Sequence, residues 1–316
     1  MNLRRLFASM ATVIVTLLVS ALVGEGLVRI KNANQKSYTI EMWRYARELK
    51  QMDPELGHIH QRGKSSLLQN IPISINSLGM RGPELQSDAR PRILLLGSSI
   101  TLAWGVPEEK GSRAQLERHL GGTHQVLNAA VGNFNLPRYI RLFERDLRQI
   151  IKPKIVVIDY FIDDAKPMDS ASGNWIMRHS EFAVTLYYIA SKLLYGSRDL
   201  RSLKEHYDAI YDDSSETFLS LKDAMEQMNQ MSHDDGFKVI LALIPDVHQL
   251  THYPFAHIHA KMCQQARSLG WTCADFLDDL GKFSGPDLWT IPGDPHPNAT
   301  AHAIMAERLA KVIKGL

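Results

Sequence analysis

From residue 91 onward the chain alternates short apolar runs with longer amphipathic stretches. The strand candidates are Ile93 to Leu96, Gln125 to Ala129, Ile155 to Tyr160, Val239 to Ile244 and Thr272 to Phe276. An uninterrupted apolar run such as Ile93 to Leu96 predicts a strand buried on both faces, as in a parallel sheet. Between the second and third, a helix is predicted from Pro137. Tyr139, Ile140, Phe143, Leu147 and Ile150 share one face at helical spacing, and Arg138, Arg141, Arg145 and Arg148 lie opposite. A last helix carries Ile304, Leu309, Val312 and Ile313 toward a core. Strand and helix in alternation predict an α/β fold, a three-layer α/β/α sandwich on a central parallel sheet of about five strands.

Residues 165 to 236 interrupt that alternation with a mostly helical insertion. Trp175, Phe182, Leu186, Tyr187, Tyr188, Leu193 and Leu194 form an apolar-aromatic stretch, and Phe218, Leu221, Met225 and Met228 mark a second amphipathic helix. The segment either caps a site, where it would set substrate choice, or completes the core.

The first 90 residues read differently. Leu6 to Gly24 is uncharged and rich in Val, Leu and Ala, close to the ~20 residues that cross a bilayer as a helix. A cleaved signal peptide is the rival, but Ser20-Ala-Leu22 is a poor small-residue cleavage site. Residues 1–30 are therefore expected to be an uncleaved single-pass anchor. Arg4 and Arg5 bias its start to the cytoplasm, although Arg29 and Lys31 blur the asymmetry. The expected location is a bacterial-type inner membrane, with the main domain in the periplasm or exterior. Residues 31–90 follow as connector and arm, helical around Tyr38 to Gln51. Ile71, Ile73 and Ile75 then alternate, Pro72 favours an edge, and Gly79 and Gly82-Pro83 mark turns. The arm either packs on the domain of residues 91–316 or lines its cleft.

Composition adds limits. With 316 residues, 45% apolar and 22% charged, the chain has ordinary globular proportions, and a net charge of +2 selects no acidic partner. Nothing reads as a nucleic-acid module. The arginine series fits a solvated helix face better than an anionic partner. His248, His252, His257 and His259 have no Glu or Cys cluster beside them, so neither a metal site nor a cofactor is expected. Cys263 and Cys273 fit either a disulfide or two buried thiols.

Two stretches carry candidate chemistry. In Gly97-Ser98-Ser99-Ile100-Thr101 a strand gives way to a turn, and the carboxyl end of such a strand is where open α/β sheets bind ligands. A serine there is placed to be a nucleophile; the plain alternative is a helix cap. In Asp294-Pro-His-Pro-Asn298, a turn before the last helix, an Asp two residues before a His can fix its tautomer and leave the other nitrogen to take a proton. The plain alternative is an Asx turn.

Together these blocks resemble those of the SGNH (GDSL-type) hydrolases. Gly97 to Thr101 is similar to the family's Gly-Asp-Ser-x-Thr block, with Ser99 in the nucleophile position. Asn128-Ala-Ala-Val-Gly-Asn133 resembles its second block, which supplies an oxyanion-hole glycine. Tyr160-Phe-Ile-Asp-Asp164 resembles its third, usually ending Gly-x-Asn-Asp, and Asp294-Pro-His296 its Asp-His block. The resemblance spans roughly residues 90 to 315. It implies a flavodoxin-like SGNH sandwich and a Ser99–His296–Asp294 triad, with Ser99, Gly132, Asn133 and Asp163 around the oxyanion.

Three positions depart from the pattern. Ser98 replaces an Asp, and Gly132 sits one place early, so that Asn133 occupies the usual glycine position. Asp163 stands where the family has Asn, and an ionised Asp accepts but cannot donate; either Asp163 is protonated, or Asn133 or Asn135 substitutes, or the enzyme is slow. The expected activity is that of a serine esterase on carboxylic esters, O-acetyl esters of carbohydrate or envelope polysaccharide foremost, with small esters as the simpler substrates. An exopolysaccharide O-acyltransferase using the same residues is the first alternative. A degenerate carbohydrate-binding or assembly protein is the second.

Overall fold

The computed structural model describes residues 3–167, 175–196 and 200–316. Met1, Asn2, and residues 168–174 and 197–199 of the helical insertion lie outside the described residues. The chain opens with α1 (Leu3–Lys31) and α2 (Tyr38–Glu48), then two hairpins, β1 (Lys50–Asp53) with β2 (Gly57–His60) and β3 (Ser65–Leu68) with β4 (Ile71–Ser74). Within α1, Phe7–Lys31 is long and apolar enough to cross a membrane, and its apolar side chains are exposed all round. The expected alternation of Ile71, Ile73 and Ile75 falls on β4 and the residue after it. Pro72 sits in a two-stranded hairpin, where its missing N–H costs no central ladder bond.

The sandwich follows: β5 (Arg92–Leu96), α3 (Ser112–His119), β6 (Gln125–Asn128), α4 (Leu136–Leu142), α5 (Arg148–Ile151) and β7 (Ile155–Phe161). After it come α6 (Trp175–His179), α7 (Glu181–Tyr195), α8 (Leu200–Ile210), α9 (Glu216–Asp235) and β8 (Lys238–Ile244). The chain closes with α10 (Ala256–Ser268), β9 (Thr272–Asp275), α11 (Leu277–Leu280), a hairpin of β10 (Trp289–Ile291) and β11 (Asp294–Pro297), and α12 (Ala299–Lys314).

Five strands pair in parallel in the order β6-β5-β7-β8-β9. Alternate side chains serve opposite faces. Ile93, Leu95, Val157 and Ile240 pack under α3 and α12 with Leu116, Met305 and Leu309. Leu94, Leu96, Val156 and Leu241 pack under α4, α9 and α10 with Tyr139, Phe218, Met225 and Met262. Helices on both sides explain why the strands read as unbroken apolar runs. They also settle the role of Phe218 to Met228: α9 belongs to a core layer. The preceding α6 and α7 pack instead on α2, and α7 on α1.

The helix expected from Pro137 departs from its pattern. Phe143–Leu147 forms a π turn between α4 and α5, which adds a residue to the repeat. Ile150 is therefore 48% exposed and Ile151 is buried in its place. The arginine face is neither solvated alone nor open to an anion. Arg141 pairs with Glu55 and Glu144, Arg145 with Asp53, Glu55 and Asp146, and Arg148 with Asp234 and Asp235. These pairs tie the β1–β2 hairpin to α4 and its π turn.

Cys263 and Cys273 form a disulfide, with Cα atoms 5.4 Å apart, joining α10 to the edge strand β9. The Cys263→Ser/Cys273→Ser variant is expected to lose about 2–3 kcal/mol, the loop-closure term for so short a loop. Urea unfolding with and without reductant checks this; the parent should move toward the variant on reduction, and the variant should not respond.

Candidate active site

Every candidate side chain sits at the carboxyl end of the parallel sheet or faces it. Ser99 follows β5, Asn133 follows β6, Asp163 follows β7, and Asp246 and His248 follow β8. They line a cavity of about 220 Å³ with Tyr38, Met42, Ser98, Phe134 and His296. The chain order reverses around β5, so the cavity lies at a topological switch point.

The turn after β5 is built for close approach. A Cβ at Gly97 would lie 2.1 Å from Thr101 Oγ1 and 2.9 Å from the Asp159 carbonyl, so only glycine fits. No helix follows directly: residues 98–106 form irregular turns, with Ala103 at φ 62° and Gly105 at φ 71°. Ser98 and Ser99 are therefore not helix caps. The turns are held from outside. Arg81, buried in the arm, donates to the carbonyls of Leu102, Ala103 and Val106 at 2.5–2.7 Å, and Asn128 Nδ2 donates to Thr101 O at 2.7 Å.

His296 is brought to Ser99 by β11. Asp294 and His296 were expected on a loop; they lie instead on a strand paired with β10. Residues i and i+2 of a strand face the same way, so the Asp-x-His spacing puts both side chains on one side. His296 Nδ1 donates to Asp294 Oδ1 at 2.6 Å, and Ser99 Oγ lies 2.8 Å from His296 Nε2. The His296 amide also donates to Asp294 Oδ1 at 3.2 Å. Asn298 then caps α12 by accepting from the Thr300 and Ala301 amides. Asp294 is fully buried. Burial pushes its carboxyl up, but the hydrogen bonds from His296 and Gln69 outweigh this and hold it below the ordinary carboxylate range.

The arm reaches into the site. Gln69, between β3 and β4, donates to Asp294 Oδ2 at 2.6 Å. The Tyr38 ring, on α2, lies 5.4 Å from the imidazole of His296. The irregular part of the arm packs on the sandwich and touches Asp294 through Gln69, while the cavity wall from this region comes from α2, through Tyr38 and Met42.

Gly132 does not fill its expected place. Its N–H is buried and donates to Tyr45 Oη at 2.9 Å, and a Cβ there would lie 2.7 Å from the Tyr45 ring. Tyr45 in turn donates to His60 Nε2 at 2.6 Å, since His60 Nδ1 must donate to the Gly79 carbonyl. The Gly132 carbonyl accepts from Lys50 Nζ at 2.6 Å and from His58 Nε2 at 3.1 Å. The next amide, that of Asn133, lies trans across the same planar peptide and points away from Lys50 and His58. Asn133 has φ 68°, a conformation asparagine tolerates, and lines the cavity. The amides of Ser99 and Asn133 donate no hydrogen bond to any described residue. Asn135 is committed elsewhere: its side chain caps α4 and donates to Lys166 O at 2.9 Å.

Asp163 lines the cavity as an acceptor, hydrogen-bonded by Tyr207 and paired with Lys166. Ser98, in the place of the family's Asp, bonds the buried Asp164 carboxyl, which burial raises well above its ordinary value. Of the histidines considered for a metal, three have separate partners. His248 bonds Asp246, His257 bonds Asp208, and His259 bonds Asp275 and Tyr253. Among the described residues no three metal-type side chains cluster.

Sequence reading missed Tyr45, Lys50, His58, His60 and Gln69. Their partners lie far along the chain, and only the density of polar side chains between residues 45 and 69 hinted at a buried network.

Burial pushes the imidazoles of His58 and His60 down to about 3 and about 4. In the unfolded chain they would titrate near 6.5. Between about pH 4 and 6.5 the unfolded state thus binds protons that the native state does not, and stability falls as pH drops through that window by about 1.4 kcal/mol per pH unit for each histidine. The urea midpoint should accordingly be lower at pH 5 than at pH 7; an unchanged midpoint would contradict the neutral, buried assignment.

No protein-family model matches the sequence, nor does any curated protein. Among solved structures, the chain is similar to a member of the lipolytic protein G-D-S-L family from Veillonella parvula DSM 2008, at 14% identity over 71% of this chain and 99% of that one, TM-score 0.44. It is similar to TesA at 18% identity over 71% and 98% of the two chains, TM-score 0.45. It is also similar to a variant of an acetyl-xylooligosaccharide esterase from Geobacillus Stearmophilus, at 15% identity over 72% and 95%, TM-score 0.44.

Proposed function

We propose that this chain is a membrane-anchored extracytoplasmic serine esterase acting on carboxylic esters, with O-acetyl esters of carbohydrate as the natural class. One observation carries the reading: the unbroken line from Asp294 through His296 to Ser99, with bonds of 2.6 and 2.8 Å. Asp294 fixes the Nδ1–H tautomer, so Nε2 faces Ser99 as an acceptor. Ser99 Oγ attacks the ester carbonyl carbon while its proton passes to Nε2. The carbonyl oxygen becomes an oxyanion between the Ser99 and Asn133 amides. His296 then returns the proton to the departing alcohol, leaving an acyl-Ser99, and water repeats the sequence to release the acid. The disulfide and the apolar α1 fit an oxidising compartment outside the cytoplasm.

Lys50 is the positioning residue for the oxyanion site. It holds the carbonyl of the peptide whose N–H faces the oxyanion, and when charged it polarises that peptide. Burial pushes its ammonium down to about 7, so this polarisation is lost as pH rises through neutrality.

Three outcomes follow. The full chain in detergent hydrolyses a small acetyl ester, and Ser99→Ala reduces the rate to background; equal rates in both would overturn the reading. Lys50→Met lowers kcat about tenfold or more, the order of weakening one oxyanion donor, leaves KM unchanged, and removes the alkaline fall from the pH profile. Asp163→Asn restores a donor at the cavity wall while keeping an acceptor for Tyr207, and raises kcat; a sharp fall would assign the Asp163 carboxylate a positive role.

A further inference from the structure

The outer face of α7 is apolar and unpartnered, and its neighbour says what covers it. Leu186, Tyr187, Ile189, Leu193 and Leu194 are exposed, Leu193 to 81% and Leu194 to 76%. Glu181 and Lys192 are the only charged residues among the helix's 15. A solvated helix with such a face would be an aggregation liability. Yet α7 does not stand alone: it packs on α1, whose apolar surface is exposed all round. Glu25 of α1 caps the start of α7, accepting from Ser180 Oγ at 2.7 Å and from the Glu181 and Phe182 amides at 3.2 and 3.0 Å. The Phe182 ring lies against Gly24, the last residue of the uncharged run. Thus α7 begins at the level where α1 turns polar, and its apolar face continues that of the anchor. Tyr187, on this face, suits the boundary between headgroups and acyl chains.

The opposite face of α7 borders a second cavity. Val184, Thr185 and Tyr188 line about 560 Å³ with Tyr38 and Ile40 of α2, His248 and His296. The two cavities meet at Tyr38, His248 and His296. One helix therefore separates that exposed apolar face from the cleft that leads to the triad.

We propose that α7 lies in the bilayer surface with its outer face among lipid acyl chains, and that the α2–α7 cleft receives an ester carried by a membrane amphiphile. The membrane contact stands on the surface of α7 alone; the substrate class rests also on the serine-esterase reading.

The full chain, reconstituted in vesicles of phosphatidylethanolamine and phosphatidylglycerol, tests both. A nitrobenzoxadiazole label on Leu193→Cys should emit at short wavelength, be quenched by lipids brominated on their acyl chains, and resist aqueous iodide. The same label on Lys311→Cys of α12 should behave in the reverse way. Iodide quenching at position 193 overturns the membrane contact. So does a short-wavelength emission that brominated lipid leaves unquenched, which would mean a protein surface, such as a second copy, covers the helix. For the substrate class, the L193D/L194D pair should lower turnover of an acetyl ester on the headgroup of a vesicle-borne amphiphile relative to a soluble acetyl ester by about tenfold or more, the least expected when two leucines leave lipid. An equal effect on both esters overturns delivery from the bilayer. If the parent chain cleaves neither ester, the esterase reading and the substrate class fail together, and the label alone decides the membrane contact.

Discussion

A carboxylate removed from water is stable only when its oxygens are fully hydrogen-bonded, and Asp294 is such a group. It has no exposure, and its partners are the His296 ring, the His296 amide and Gln69. These partners come from two separate structural decisions. The β10–β11 hairpin supplies the strand spacing that turns His296 toward Ser99. The arm supplies Gln69 from a turn between two short hairpins. Losing any one would leave the carboxylate short of a donor, so the arm is part of the site and not a linker to it.

The same arm governs the other half of the site. Tyr45, Lys50 and His58 hold both polar atoms of Gly132, and the planarity of the next peptide fixes the direction of the Asn133 amide. Here the glycine's displacement by one place from the familiar pattern is absorbed by the backbone: Gly132 becomes a buried anchor for Tyr45, and Asn133 takes the left-handed position beside the cavity. Asp163, which reads in sequence as the most damaging departure, is held by Tyr207 and Lys166, so the proposed oxyanion site rests on the backbone amides of Ser99 and Asn133.

The sandwich was legible because its strands are buried on both faces and write themselves as apolar runs. The pair Asp294 and His296 was legible from its residue types and its place before the last helix, but as a turn; that it lies on β11, whose two-residue repeat aligns the side chains, was not. The arm was not. Lys50 to Asp53 is a polar strand with no alternation to betray it, and Gln69, Tyr45 and Lys50 find partners between 82 and 225 residues away. The π turn was equally hidden: Ile150 and Ile151 are adjacent and alike, and only the added residue in Phe143–Leu147 decides which one is buried. Cys263 and Cys273 could be paired only once their Cα separation was known.

The central claim is that Ser99 is a nucleophile activated by His296. Labelling with a fluorophosphonate, followed by mass analysis of the proteolysed chain, tests it most directly because no natural substrate is needed. The account predicts a single phosphonylated residue, Ser99, whose labelling slows sharply in His296→Ala. Absence of label, or label that persists unchanged in His296→Ala, would contradict it.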